Sequence, residues 1–155
     1  MSVVAAPNAP DDLQARGRQV VEFFNAVSFD TMDLVDEFYA ENVEFHDPAG
    51  DLVGRNQVKS YYKAMYRNVV DVKFDFPAVV ESDDVVMAEW IMTVKMKSFN
   101  GGKPIVVNGM SHLRFGDDGR VVYHRDSFDL GAMVYEKIPV FGGIVRWLRK
   151  RLAKH

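Results

Sequence analysis

The sequence contains no cysteine among its 155 residues. Disulfide frameworks and metal sites built on thiolates are therefore excluded. The same absence fits a reducing compartment, and we expect a cytoplasmic protein. Residues 1–10 lack the basic start and apolar run of a secretory signal. No apolar run approaches the ~18 residues needed to cross a membrane.

An excess of charge of one sign is also missing. The formal net charge is −3, from 19 basic and 22 acidic residues, so nothing predicts a nucleic-acid partner. Apolar residues make up 48 % and charged residues 26 % of the chain, as in ordinary globular domains. We expect a disordered tail over residues 1–11 and one domain over residues 12–155.

Alternation with a period of two dominates the second half of the chain. Between residues 85 and 97 the apolar face consists of Val86, Ala88, Trp90, Met92, Val94 and Met96. Residues 105–115 alternate in the same way, and a turn over residues 116–119 leads into a further strand. Together with residues 72–76, these runs predict four strands joined by short connections, which makes them antiparallel.

Helical spacing is found mainly in the first half. A first helix begins near Leu13, a short second helix ends near Phe38, and a third covers residues 56–68. Residues 39–42 predict a turn and residues 48–54 a loop, with a short strand between them. The result is an α+β fold in which a cone-shaped, mainly antiparallel sheet packs on the N-terminal helices. The open end of such a cone is a natural ligand pocket.

The C-terminal segment predicts an extra helix of a different kind. Residues 144–152 combine an apolar stripe with several basic side chains. Such a helix can lie on an anionic membrane surface. We favour packing of the stripe on the domain or on a partner subunit, because the stripe is short and the remaining chain is acidic.

The strand that follows the 116–119 turn carries the most unusual pattern. Alternation places Val122, His124, Asp126 and Phe128 on one face. A carboxylate among apolar groups is costly unless it is paired or protonated, and proton-transfer groups are tuned in such surroundings. The competing interpretation is a core His and Asp that satisfy each other. A second carboxylate, Asp47, ends the short strand over residues 43–47.

Three stretches carry a family resemblance: residues 38–50 with the setting Asp47-Pro48-Ala49-Gly50, residues 54–56 opening a helix, and residues 112–115 before a Gly-rich turn. Over about residues 13–130 the chain resembles the nuclear transport factor 2-like superfamily, and within it the SnoaL-like and ketosteroid isomerase-like branch. That fold hosts isomerases, cyclases, hydrolases, dehydratases and binding modules, so function depends on the site.

The resemblance implies roles for two aspartates. In ketosteroid isomerases an Asp-Pro-x-Gly aspartate is the base, which makes Asp47 a candidate. The positions matching that enzyme's two oxyanion donors are Phe23 and Ser111, and of these only Ser111 has a hydroxyl. In SnoaL-like polyketide cyclases the catalytic aspartate lies in a His-x-Asp setting, which His124 and Asp126 match. We therefore favour Asp126.

Our first hypothesis is an isomerase or cyclase that moves a proton on a small hydrophobic carbonyl compound. Asp126 is the general acid and base, His124 polarises it, and Asp47 is a second carboxylate or an alternative base. No cofactor is expected, because the carbonyl group acidifies the neighbouring C–H bond. The predicted pocket lining consists of Phe23, Tyr62, Trp90, Met92, Ser111 and Phe128.

Two alternatives remain. A non-catalytic small-molecule-binding or assembly domain would use the same cone. A two-His, one-carboxylate metal site is weighed and not favoured, because neighbouring candidates such as His46 and Asp47 point to opposite faces. A homodimer is expected through the outer sheet face, which carries Glu89, Thr93, Lys95, Asn108, Met110 and His112.

Overall fold

Three helices cover one face of a six-stranded sheet in the computed structural model of this chain. The structure describes residues 7–129 and residue 131. In chain order the elements are α1 (Ala15–Ala26), α2 (Asp33–Phe38), β1 (Tyr39–Asp47), β2 (Gly50–Val53), α3 (Arg55–Tyr66), β3 (Val69–Ser82), β4 (Val85–Met96), β5 (Ile105–Phe115) and β6 (Val121–Phe128). The predicted α+β class and curled, mainly antiparallel sheet are confirmed. The predicted helix over residues 144–152 lies outside the described residues.

The strand order is β2-β1-β6-β5-β4-β3. All neighbours are antiparallel except β1 and β6, which run parallel. The alternation predicted for β4 and β5 is confirmed, since Val86, Ala88, Trp90 and Val94 are buried. This face packs against α1, where Phe24 contacts Phe74 and Phe76 edge-on. The burial of these large apolar side chains is the main stabilising term of the fold.

Several sequence-based boundaries were wrong. Residues 39–42 were predicted as a turn, but Tyr39 opens β1, where an irregular register before Glu44 disturbs the alternation. The predicted loop over residues 48–54 contains β2, a four-residue edge strand with mostly exposed side chains. β3 is much longer than the predicted residues 72–76.

One register irregularity corrects the predicted face of β6. Arg114 pairs with Tyr123 and Phe115 pairs with Val121, so Val122 is an extra residue on β6. Such a bulge reverses the alternation on one side of it. Val121 is therefore fully buried and Val122 only half-buried, although Val122 was predicted to share the inner face with His124.

The described part of the predicted tail forms hydrogen bonds with β3. The backbone N–H of Phe76 donates to the Asn8 carbonyl oxygen at 2.7 Å, and the Asn8 N–H donates to Asp75 Oδ1 at 3.1 Å. The first helix begins two residues later than Leu13, at Ala15. None of the helices in residues 7–129 has the length and apolar character that a membrane crossing requires.

Candidate functional site

The curled sheet and the helices α1 and α3 enclose a cavity of about 350 Å³. Its wall is almost entirely apolar, and Asp47 and Asp126 are the two carboxylates that line it. Five of the six predicted lining residues do form part of the wall: Phe23, Tyr62, Trp90, Met92 and Phe128. The fold therefore brings both predicted aspartates to one hollow.

Asp126 is held on one side only. Its Oδ1 lies 2.6 Å from His124 Nε2 and accepts a hydrogen bond of 2.5 Å from Ser111 Oγ. The hydrogen bonds found for this side chain in the described structure all end on Oδ1. Since 16 % of the side chain is exposed, Oδ2 is the oxygen available to a molecule in the cavity.

The bonds around Asp126 continue into the protein as one chain. His124 Nδ1 lies 2.7 Å from the Tyr39 hydroxyl, which lies 2.7 Å from the Tyr62 hydroxyl. On the other side, Trp90 Nε1 donates to Ser111 Oγ at 2.8 Å. We call the series from Trp90 through Ser111, Asp126, His124 and Tyr39 to Tyr62 the Asp126 hydrogen-bond chain. Its middle members Ser111, His124 and Tyr39 have no exposed surface.

The direction of each bond follows from which groups carry protons. Indole N–H only donates, so Ser111 accepts from Trp90 and gives its own proton to Asp126. Burial raises the pKa of Tyr39 and of Tyr62, so both remain phenols near neutrality. With Asp126 ionised and His124 neutral, Nε2–H donates to Asp126. Tyr39 then donates to Nδ1, and Tyr62 donates to Tyr39.

Asp47 is held differently. Its Oδ1 accepts from the backbone N–H groups of Ala49 and Gly50, at 2.7 and 3.1 Å. Its Oδ2 accepts from the Tyr61 hydroxyl at 2.5 Å. The pKa of Tyr61 is raised, chiefly by burial and then by this bond to Asp47. Both carboxylate oxygens of Asp47 are therefore engaged, whereas the hydrogen bonds of Asp126 within the described residues leave its Oδ2 without a partner.

Two predicted site residues lie behind the wall rather than in it. Ser111 was predicted to line the pocket, but it is fully buried and spends its hydroxyl proton on Asp126. His124 is also fully buried and bonds to Asp126, which lines the cavity. On the outer sheet face, His46 bonds to Asp51. The candidate metal ligands are thus divided between the two faces.

Sequence reasoning missed Tyr39, Tyr61 and Tyr66 as parts of the site. Neither Tyr61 nor Tyr66 was predicted as a site residue, yet both line the cavity. Tyr39 was placed in a turn, and its partner His124 is 85 positions away. No local pattern indicates such a pair. The sequence signal that was available is the tyrosine content of α3, in which Tyr61 and Tyr62 are adjacent and Tyr66 follows one turn after Tyr62.

Comparison with known proteins finds a family model, the SnoaL-like domain, that matches residues 20–124. Cyclase aurE of Calcarisporium arbuscula is 25 % identical over 122 residues, covering 77 % of this chain and 88 % of that protein. Among solved structures, a putative SnoaL-like polyketide cyclase from Shewanella putrefaciens CN-32 is similar with a TM-score of 0.69 at 14 % identity, covering 83 % of this chain and 88 % of that one.

A further solved structure gives the same fold. An NTF2-like protein of unknown function from Burkholderia pseudomallei K96243 is similar with a TM-score of 0.68 at 17 % identity. The similarity covers 81 % of this chain and 99 % of that chain. At these identities the solved structures support the cone-shaped fold but not a particular reaction, so the chemistry must be inferred from the residues of the site.

Proposed function

Because this chain belongs to the SnoaL-like domain family, whose model spans residues 20–124, we propose that it is a cyclase or isomerase acting on a small hydrophobic carbonyl compound, with Asp126 as general base. The observation that carries the proposal is the position of Asp126 in an apolar cavity. Its Oδ1 is fixed by two hydrogen bonds, and its Oδ2 is left for the substrate.

The proposed step is a proton transfer from carbon. The Asp126 carboxylate removes a proton from the carbon next to the carbonyl group and becomes a neutral acid. The electron pair of the broken C–H bond moves into the enolate. In a cyclase the enolate carbon then attacks a second carbonyl group, whose oxygen becomes an alkoxide and takes the proton back from Asp126. In an isomerase Asp126 returns the proton to a different carbon, and in both cases the carboxylate is restored. A positioned general base of this kind contributes about 10²–10⁴-fold in rate.

The neighbours of Asp126 have supporting roles. His124 and Ser111 orient the carboxyl group, and the apolar wall excludes the water that would otherwise solvate it. Asp47 is proposed as a second carboxylate that accepts a hydrogen bond from the substrate. It is not the base in this proposal, because three donors already occupy its two oxygens.

Hydrogen–deuterium exchange of 2-tetralone in deuterium oxide, followed by NMR, tests the proposal. The wild-type protein should accelerate exchange at the carbons beside the carbonyl group. Asp126→Asn keeps the size of the side chain but removes the base, and should slow the catalysed exchange by about 10²–10⁴-fold. Asp47→Asn is the matched control and should change the rate by less than about tenfold. Equal rates in wild type and Asp126→Asn would refute Asp126 as the base.

The second candidate is a non-catalytic small-molecule-binding or assembly domain. It is favoured by the positions that match the oxyanion donors of ketosteroid isomerases, since Phe23 has no donor and Ser111 is turned away to Asp126. Native mass spectrometry distinguishes the two functions. A co-purified apolar ligand that stays chemically unchanged on long incubation supports the binding domain, and conversion supports the enzyme. The homodimer remains a prediction that sedimentation can check.

A further inference from the structure

An enolate needs a hydrogen-bond donor at its oxygen, and most polar protons near the cavity are already committed. Ser111 donates to Asp126, Trp90 donates to Ser111, and Tyr61 donates to Asp47. Two tyrosines of the wall remain, Tyr62 and Tyr66. Tyr66 lies outside the Asp126 hydrogen-bond chain, whereas the partner of Tyr62 is another hydroxyl of that chain, which can accept from it or donate to it. Tyr62 therefore belongs both to the Asp126 hydrogen-bond chain and to the surface that faces a ligand.

Building on the proposed function, we infer that Tyr62 binds the substrate's carbonyl oxygen, and that it does so when the Asp126 hydrogen-bond chain has taken up one further proton. In this state His124 carries a proton on both nitrogens. The positive imidazolium then faces the negative Asp126 across the 2.6 Å contact.

Whether Tyr62 donates or accepts a hydrogen bond in the cavity depends on whether His124 carries two protons or one. In the form with neutral His124, the Tyr62 proton points to Tyr39, and Tyr62 offers the cavity only a lone pair. When Nδ1 also carries a proton, Nδ1–H donates to Tyr39 across the 2.7 Å contact. Tyr39 then donates to Tyr62 across the other 2.7 Å contact. The Tyr62 O–H is released from Tyr39 and becomes a donor to the cavity.

The doubly protonated form of His124 also suits the proposed reaction. Asp126 is still a carboxylate in this form, so the base and the donor are present together. When Asp126 takes the proton from carbon, its negative charge passes to the enolate oxygen. Tyr62 donates a hydrogen bond to that oxygen, and Tyr39 connects Tyr62 to the His124 cation. The proton taken from carbon stays on Asp126, so no further reactant is needed for this step.

The surroundings of His124 determine how the extra proton is held. Asp126 of β6 and Tyr39 of β1 bond to its two nitrogens, and the rings of Phe24 and Phe45 pack against it. A buried cation is tolerated only when it is paired in this way. The other titratable or polar groups of the site are Asp47 of β1, Tyr61, Tyr62 and Tyr66 of α3, and Ser111 of β5.

Two ligands that differ at one oxygen test the inference. The carbonyl oxygen of 2-tetralone only accepts a hydrogen bond, whereas the hydroxyl of 2-tetralol can donate to the Tyr62 lone pair. Calorimetric titration in buffers of different ionisation enthalpy measures proton uptake on binding. We expect the protein to take up as much as about one proton when it binds 2-tetralone, and far less when it binds 2-tetralol. The affinity for 2-tetralone should fall by up to about tenfold per pH unit as the pH rises.

Single-atom variants separate this coupling from simple packing. Tyr62→Phe and Tyr39→Phe should still bind 2-tetralone but lose the proton uptake. Tyr66→Phe is the matched control and should retain it, because Tyr66 lines the same wall but is not a member of the chain. Zero uptake by the wild type at every pH, or unchanged uptake in Tyr62→Phe, would overturn the inference. The exchange rate of Asp126→Asn tests the proposed function separately.

Discussion

Gly109 is a position where one methyl group should disturb both the core and the site. It pairs with Trp90 across β4 and β5, and the indole lies over it. A Cβ atom at this position would lie 2.2 Å from Trp90 Cη2 and 2.3 Å from Cζ2. Ordinary carbon contacts are about 3.5–4.0 Å, so the ring must move by more than about 1 Å. Gly109 has no positive φ, so an alanine backbone is allowed there and the conflict is purely one of side chains.

The loss of stability caused by Gly109→Ala can be estimated from the contacts of the Trp90 indole. Trp90 is 3 % exposed and packs against Phe74 and Phe128. Overpacking typically costs about 1–3 kcal/mol. Losing the bond to Ser111 would leave a buried donor unpaired, for about 1–3 kcal/mol more. Replacing a strand glycine restores about 0.5–1 kcal/mol. Together these ranges give a net loss of about 1–5 kcal/mol in the free energy of unfolding, centred on about 3 kcal/mol.

Urea unfolding followed by far-ultraviolet circular dichroism measures this loss. With a slope of about 2 kcal/mol per molar urea, the midpoint should fall by about 0.5–2.5 M. In a Trp90→Phe background the shorter ring does not reach the new methyl group, so the same Gly109→Ala change should cost less than about 1 kcal/mol. An unchanged midpoint in the single variant, or equal costs in both backgrounds, would refute the contact as described.

Two further predictions concern stability. Burial raises the pKa of Tyr39 and Tyr62 above the usual value near 10.0, so the unfolded chain loses protons that the folded protein keeps. The contribution of these tyrosines to the free energy of unfolding should be constant below about pH 10 and then fall by about 1.4 kcal/mol per pH unit for each of them. Urea midpoints against pH should show a shallower fall in Tyr39→Phe; an identical fall would contradict this. The bulge in β6 predicts that Val121→Ala costs about 2 kcal/mol in urea unfolding and Val122→Ala less than half as much, whereas equal costs would argue against that register.

The sequence was most informative where a strand is regular and one of its faces is buried. β4 has apolar side chains at every second position, and β5 has them at four of its six inner positions, so the extent, pairing and inner face of both strands could be predicted. The same reasoning placed Asp126 on the inner side of β6. Asp47 followed from the end of a short apolar face. These conclusions depend only on the period of a strand, which the local sequence contains.

What could not be predicted depends on distant partners. The bulge at Val122 arises from pairing with β5, and the short β2 is a strand only because β1 lies beside it. The hydrogen bonds around Asp126 could not be predicted, because this requires knowing that Ser111 bonds to Asp126 and that Tyr39 bonds to His124. The side chains of Tyr39 and Ser111 come from opposite neighbours of β6. Alternation assigns each side chain to one face of the sheet, but it does not identify the side chain on a neighbouring strand that it contacts.

The position of β6 in the sheet has a consequence for how the protein is made. β6 is the last of the six described strands to be synthesised, yet it lies between β1 and β5 and joins the two parts of the sheet. A nascent chain that stops before residue 121 therefore has two unpaired strand edges, which are templates for aggregation. It also lacks His124 and Asp126, so a translation product that ends there does not carry the proposed base. The proposed base and the pairing of these two edges are therefore acquired together, when this strand is inserted.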